Sequence, residues 1–313
     1  MTVRRCPITY EPLAEAEERY SSTGLNMLSR RLTDLEPLPF SSAELVQEAA
    51  KRAEKMSIGG VQPKVSAVLR PAKSRFELVD TAGRYILKPE TPQYPEVPAN
   101  EDVTMRMASA AGVETPLHGL LYTRKDELCY FIRRFDRTGK GDKVAVEDFA
   151  QLLGYDRETK YKSSMEQVAK VVEDFCAFPV PQKVALFRWV LVVFLTGNED
   201  HHLRNFSLIT KDGITQLTPA YDMLCSTIAL GNATEELALP LNGKKSNFKH
   251  DDLVDYYASQ RLGLPSAAVE RVLGEVVSAQ PTWDDLLARS FLSDEMKDRF
   301  AEVLAHRRGV LGL

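Results

Sequence analysis

The spacing of apolar positions changes its period near residue 138. Before that point the apolar residues come in short runs of strand composition, at 65–69, 76–79, 84–87, 120–122 and 128–132. Turn residues separate them, such as Asp80-Thr81-Ala82-Gly83 and Arg124-Lys125-Asp126-Glu127. The pattern predicts two helices in this half. One covers 45–54, opened by a capping box of Ser41 and Glu44. The other covers 101–111, capped by Asn100 and stopped by Gly112. Residues 1–12 read as a short extended or turn segment and 20–39 as a loop-rich lead-in. After the turn at 138–142, helical periodicity dominates, at 147–153, 165–176, 181–195, 251–260, 267–277 and 283–289. A small hairpin, 206–209 with 214–217 around Lys211-Asp212-Gly213, interrupts it. These elements predict an α+β chain of two lobes: a strand-rich small lobe at 57–137 and a mainly helical large lobe at 138–313. Residues 1–56 would be a lead-in segment and helix packing on the small lobe.

Composition narrows the class. The chain of 313 residues is long enough for two lobes with a large core. Its formal charge of -4 is spread evenly. No basic block argues for direct nucleic-acid binding, and no acidic tail for a solvating arm. Cys6, Cys129, Cys176 and Cys225 are scattered without metal-ligand spacing, and Cys6 reads as a small buried hydrophobe. The N-terminus lacks the apolar core of a signal peptide, and the run at 189–195 is too short to span a membrane. The expectation is a soluble cytoplasmic protein.

The densest chemistry follows the apolar run 185–195. It is Gly197-Asn198-Glu199-Asp200-His201-His202-Leu203-Arg204-Asn205-Phe206-Ser207. Asp200 and Asn205 stand five apart, the separation of the hydroxyl-orienting Asp and the metal-binding Asn in a kinase catalytic loop. Seventeen residues past Asn205, Asp222 stands where a second metal carboxylate would sit. The same residues could instead form a polar turn whose Asp and Asn cap a helix or their own backbone. The order helix, polar loop, hairpin, Asp favours the catalytic alternative. Upstream, Ser57-Ile58-Gly59-Gly60-Val61-Gln62-Pro63-Lys64 precedes a strand. Its paired glycines allow backbone amides to approach phosphates, though a tight hairpin would use them equally well. It is not a Walker loop, lacking that glycine spacing and the Lys-Ser/Thr ending. Lys88 closes an apolar strand, where it could reach nucleotide phosphates or be an ordinary edge lysine. Glu101 could pair with Lys88 or be an acid favoured in a first helical turn.

Taken together, Ser57 to Lys64, Tyr85-Ile86-Leu87-Lys88, Arg134-Phe135-Asp136-Arg137, Gly197 to Ser207 and Thr218-Pro219-Ala220-Tyr221-Asp222 resemble the HipA family of serine/threonine kinase toxins. The resemblance spans about residues 41–260. It implies a protein-kinase-like, HipA-like fold that uses ATP and Mg2+. Asp200 would be the catalytic residue, Asn205 and Asp222 the metal ligands, and Lys88 the lysine on the nucleotide phosphates with Glu101 as its partner. Ser57, Gly59, Gly60, Phe135 and His202 join Lys88 and Glu101 in the nucleotide-binding set, with Phe135 near the adenine. Ser57 matches the family's autophosphorylated serine. Gly59 stands where the Ser-x-Ser variant of the loop has a second serine, which leaves Ser57 alone in that role. Where the family often has an acid before that phenylalanine-containing stretch, this chain has Arg133.

Full-length family kinases carry a longer region before the Ser-Ile-Gly-Gly loop, whereas 56 residues precede it here. That resembles the short HipT branch of tripartite toxin–antitoxin modules. There a separate small HipS-like subunit replaces the missing N-terminal subdomain, and a helix-turn-helix antitoxin completes the module. The implied substrate is an aminoacyl-tRNA synthetase or another translation protein. Two other readings stay open: a pseudokinase-like nucleotide-binding interaction protein, and a small-molecule kinase. His201 and His202 abut the site and could act in catalysis or shape the loop. Lys244-Lys245 form a basic loop that could meet substrate or be solvated.

Overall fold

The computed structural model describes residues 3–52, 62–139, 142–156, 158–231 and 234–313. Ser57, Gly59 and Gly60 lie outside the described residues. The chain divides into two compact units. The first comprises Met1–Asp102, Pro116–Asp142 and Arg289–Leu292, and the second Val103–Thr115, Lys143–Ala288 and Ser293–Leu313.

The first unit is built on a five-stranded antiparallel sheet. Its strands are β1 (Val65–Arg70), β2 (Arg75–Leu78), β3 (Tyr85–Pro89), β4 (His118–Tyr122) and β5 (Leu128–Arg133), in the order β2-β1-β3-β5-β4. Pro89 is tolerated because it ends its strand. Helix α1 (Ser22–Leu28) is capped by Ser21, which accepts from the Gly24 amide at 3.1 Å. Apolar periodicity predicts no helix there. Helix α2 (Ser42–Arg52) opens with the expected capping box: Ser41 N donates to Glu44 Oε2 at 2.8 Å, and Glu44 N to Ser41 Oγ at 3.3 Å. Leu25, Leu28, Leu35 and Leu45 join Val65, Phe76, Leu87 and Phe131 in one buried core. The leucines of the lead-in thus fold onto the sheet because it offers an apolar face that alternation along the strands cannot bury alone. Cys6 is fully buried in that core, and all four cysteines are free.

Helix α3 (Val97–Ala110) starts earlier than expected. Pro98 suits a first turn, so Asn100 lies inside the helix and does not cap it.

The second unit holds a three-stranded antiparallel sheet of β6 (Ala145–Asp148), β7 (Ser207–Lys211) and β8 (Ile214–Leu217). The helix expected at 147–153 is instead β6 followed by the short α4 (Phe149–Leu152). Asp148 caps α4 with a Gln151 box, so Glu147 falls before the helix and pairs with Leu208. Helix α5 (Met165–Phe175) packs on α6 (Pro179–Leu195). In α6 every residue from Trp189 to Leu195 is buried, as suits a helix apolar on all faces.

After the short helix α7 (Ser226–Leu230), a wide π-type helix runs from Asp252 to Arg261. The expected helices at 267–277 and 283–289 are one, α8 (Ser266–Arg289), which continues through Pro281. Buried Trp283 donates its indole N–H to Met107 O at 2.8 Å just beyond the proline. Helix α9 (Asp294–Leu311), absent from the expected elements, buries Phe300, Leu304 and Leu311 within a strongly charged segment. No helix among the described residues is long and apolar enough to cross a membrane.

Candidate active site

Helix α6 ends in a loop that only glycine allows. Gly197 has φ +66, and a Cβ there would lie 2.7 Å from Thr227 Oγ1 and 2.8 Å from Val303 Cγ1. Its carbonyl accepts from Ser226 Oγ at 3.2 Å and from Thr227 Oγ1 at 3.0 Å. Next along the chain, Glu199 N donates to Ser226 Oγ at 2.6 Å, and Glu199 Oε1 accepts from Thr227 Oγ1 at 2.7 Å. These anchors leave Asp200 exposed at the tip of a fixed turn.

From there a single 3-10 turn, Leu203–Asn205, brings Asn205 back toward Asp222. Asn205 Oδ1 accepts from His202 N at 3.2 Å, and Asn205 Nδ2 donates to Asp222 Oδ2 at 3.3 Å. Asp222 sits in the left-handed region at φ +54, a conformation that costs a non-glycine residue on the order of 1–3 kcal/mol. Asn198 Nδ2 donates to its carbonyl at 3.3 Å, which holds that conformation. The neighbouring Tyr221 hydroxyl ties the same loop down through Ser207 Oγ at 2.6 Å and Arg204 O at 2.9 Å. An amide and a carboxylate 3.3 Å apart are hard oxygen donors of the kind a magnesium ion takes, with phosphates and water completing its shell. The donor types, an amide and a carboxylate, therefore fit the implied metal, which Asn205 would meet with the oxygen that here accepts from His202 N.

The two histidines differ. His201 is buried against Trp189 and Phe206, and burial pushes its pKa down to about 3. It stays neutral and packs the loop from beneath, with Asn198 Nδ2 3.2 Å from its Nδ1. His202 is pushed down to about 4, first by burial and then by the Lys160 charge. Lys160 Nζ lies 2.6 Å from His202 Nε2, so the ring accepts from the ammonium. Beside it the Tyr161 hydroxyl donates to Asp200 Oδ1. Sequence reasoning misses Lys160 and Tyr161. They stand about forty residues from the loop and belong to no motif that would have flagged them.

In the first unit, Lys88 on β3 and Glu101 on α3 form a buried ion pair, Nζ to Oε1 at 2.6 Å. Tyr130, opposite Lys88 in the sheet register, sets its ring 5.6 Å from the same ammonium. Phe135 follows β5 and is partly buried, next to the bidentate pair of Arg134 with Asp136 at 2.8 and 2.6 Å. Within the second unit, Lys244 pairs with Asp252 at 2.7 Å and Lys245 with Glu235 at 3.2 Å. The basic loop is thus committed to structural ion pairs.

Comparison with known proteins places the chain in a family. A model of the HipA-like C-terminal domain matches residues 56–283, well over half of the chain. The chain belongs to the HipA-like C-terminal domain family. A Haemophilus influenzae protein whose name marks it provisionally as a kinase is 28% identical over 98% of this chain and 97% of its own length. The serine/threonine-protein kinase toxin HipA of Shewanella oneidensis is 27% identical over 54% of this chain, which spans 43% of that protein. A solved complex of Shewanella oneidensis HipA with HipB and its operator DNA contains a chain that matches with TM-score 0.68. The identity is 21%, covering 90% of this chain and 74% of the other. The shared fold is the α+β, kinase-like fold of HipA; the strand and helix pattern leads one to expect its α+β class, and the family resemblance the rest.

Proposed function

We propose that this HipA-family chain is an ATP- and magnesium-dependent serine/threonine protein kinase that acts as a toxin. The observation that most supports this is the second unit's catalytic-loop geometry. Asp200 is exposed on an anchored turn, and Asn205, five residues on, lies 3.3 Å from an Asp222 held in the left-handed conformation. Asp200 orients the acceptor hydroxyl and takes its proton. Asn205 and Asp222 would hold the magnesium. The metal supplies charge neutralisation across the phosphates when bound. Lys88, paired with Glu101 and directed by it, would meet the nucleotide phosphates. Phe135 and His202 complete the nucleotide-binding set, together with the Gly59-Gly60 amides and Ser57 of the loop outside the described residues. Ser57 is proposed as the autophosphorylated residue, restraining ATP binding by adding phosphate charge.

The name of the Shewanella relative supports a serine or threonine acceptor and a toxin role. The proposed target is an aminoacyl-tRNA synthetase or another translation protein in the cytoplasm. The solved Shewanella HipA stands in complex with HipB and operator DNA, which supports a helix-turn-helix antitoxin as partner here. A small HipS-like subunit is the second proposed partner, by likeness to the HipT branch. This chain, with its evenly spread charge, would leave DNA contact to the antitoxin.

The test is Asp200→Asn with γ-labelled ATP and a whole-cell lysate. Loss of a group acting in the transition state depresses turnover far more than nucleotide affinity. Labelling should fall by roughly a hundredfold or more, the scale of positioned acid–base catalysis. ATP affinity and the fold should be retained. Wild-type labelling rates in that variant would refute the assignment.

A further inference from the structure

The Asp200 carboxylate stands exposed at the tip of its turn, yet its direction is set. Among the described residues, its hydrogen-bond donor is the Tyr161 hydroxyl, which binds Oδ1. Two features hold that hydroxyl in place. The backbone leading to it is pinned by a local turn, in which Asp156 Oδ1 accepts from Glu158 N at 2.9 Å, Thr159 N at 2.8 Å and Thr159 Oγ1 at 2.7 Å. The segment then enters α5 through its cap, Ser164. The ring itself is clamped. It meets the His202 ring edge-on, with centroids 5.1 Å apart and planes at 82°. The Lys160 ammonium lies 4.7 Å from the Tyr161 ring centre and 2.6 Å from His202 Nε2. Lys160, Tyr161 and His202 therefore touch one another pairwise.

We infer that Tyr161 is a positioning residue for Asp200, with Lys160 and His202 as its clamp. The inference rests on the kinase reading of Asp200. A carboxylate has two oxygens. With Oδ1 held by the phenol, Oδ2 is presented in one direction to the acceptor hydroxyl. As the acceptor oxygen bonds to the γ-phosphorus, the bond to the leaving ADP oxygen breaks and the acceptor proton passes toward Asp200. Freed from Tyr161, the carboxylate would sample rotations in which neither oxygen faces the acceptor, and near-attack geometry would be rarer. Burial, and next the bond to Asp200, raise the Tyr161 pKa, which keeps the phenol a donor throughout the physiological range.

Tyr161→Phe separates this role from simple packing, because Phe keeps the ring and its contacts with Lys160 and His202 while removing the O–H. The assay is steady-state transfer from γ-labelled ATP to a degenerate mixture of serine- and threonine-containing peptides, with the melting temperature read alongside. The expected result is a roughly tenfold fall in kcat, the scale of one hydrogen bond to a charged group, with the KM for ATP unchanged. If the Phe variant melts early, 3-fluorotyrosine at position 161 replaces it. That residue keeps the shape and alters the O–H, and it should change kcat alone. Wild-type kcat in the Phe or fluorotyrosine protein would overturn the inference and leave the kinase reading intact. Higher turnover in Tyr161→Phe would do the same, because it would make the phenol a plug in the acceptor's place. Absence of transfer by the wild-type chain would sink both.

Discussion

Removing the carboxylate of Glu101 should destabilise the first unit more than any surface charge change, and a second substitution should reverse most of the loss. Lys88 and Glu101 are 4% and 0% exposed, with their charged atoms 2.6 Å apart. At an effective dielectric constant of about 20, that separation corresponds to roughly 6 kcal/mol of attraction. Desolvating each ion costs several kcal/mol, so the intact pair contributes little net stability. Breaking it is different. Glu101→Ala leaves an ammonium in a dry site, and Lys88→Met leaves a carboxylate there. Each should cost about 3–5 kcal/mol. Lys88→Met with Glu101→Leu removes both charges at similar volume, and the double variant should return to within about 2 kcal/mol of the wild type. Both tryptophans, Trp189 and Trp283, belong to the second unit, so tryptophan fluorescence is not a direct probe of the pair. Amide hydrogen exchange across β3 and β5 reads it directly. The double variant should stay inactive in ATP-dependent transfer, because stability is restored without the phosphate-facing charge. A double variant as unstable as either single would refute the reasoning, since the penalty would then come from packing and not from the broken ion pair.

Asn205→Ala and Asp222→Ala should each weaken ATP binding in the presence of magnesium and leave binding without it little changed. Calorimetry with and without the metal checks this, and undiminished magnesium dependence in both variants would move the site elsewhere. Gly197→Ala should lower stability by more than about 2 kcal/mol, through left-handed backbone strain plus contact with Val303, and slow transfer by shifting Asp200; an unchanged melting temperature would contradict the described turn. His201 has a folded pKa of about 3, against an ordinary value near 6.5. The unfolded chain therefore takes up a proton as pH falls through 6.5 while the folded chain does not, so stability is complete above that pH and declines below it. The loss should be about 2 kcal/mol between pH 6.5 and 5, and His201→Gln should flatten that slope in acid-denaturation curves.

Much of the fold was legible because it depends on local period and punctuation. All five strands of the first sheet fall on apolar runs bounded by turn residues, and the Ser41–Glu44 box opens α2 where its spacing says. The misreadings share a cause. Pro281 splits the apolar pattern, yet the helix continues through it, with Trp283 buried just beyond. In α9 the charges dilute a stripe whose members, Phe300, Leu304 and Leu311, still recur on one face. In both cases tertiary burial outweighs a local signal of a few kcal/mol or less.

The chemistry divides along the same line. Lys88 on a strand, Asp200 five residues before Asn205, and Asp222 after a hairpin follow from residue order alone, because each is a position in a short local element. Other features needed the folded molecule. Lys88 takes Glu101 as its partner through burial on β3 and α3, and Lys244 and Lys245 are drawn into pairs with Asp252 and Glu235. His201 and His202 lose their charge because burial penalises it. Tyr161 reaches Asp200 across 39 residues of chain. Nothing in residue spacing encodes such a meeting. Which distant side chains share a dry site, and so which charges survive and which hydroxyl aims a carboxylate, is decided only when the helices and strands pack.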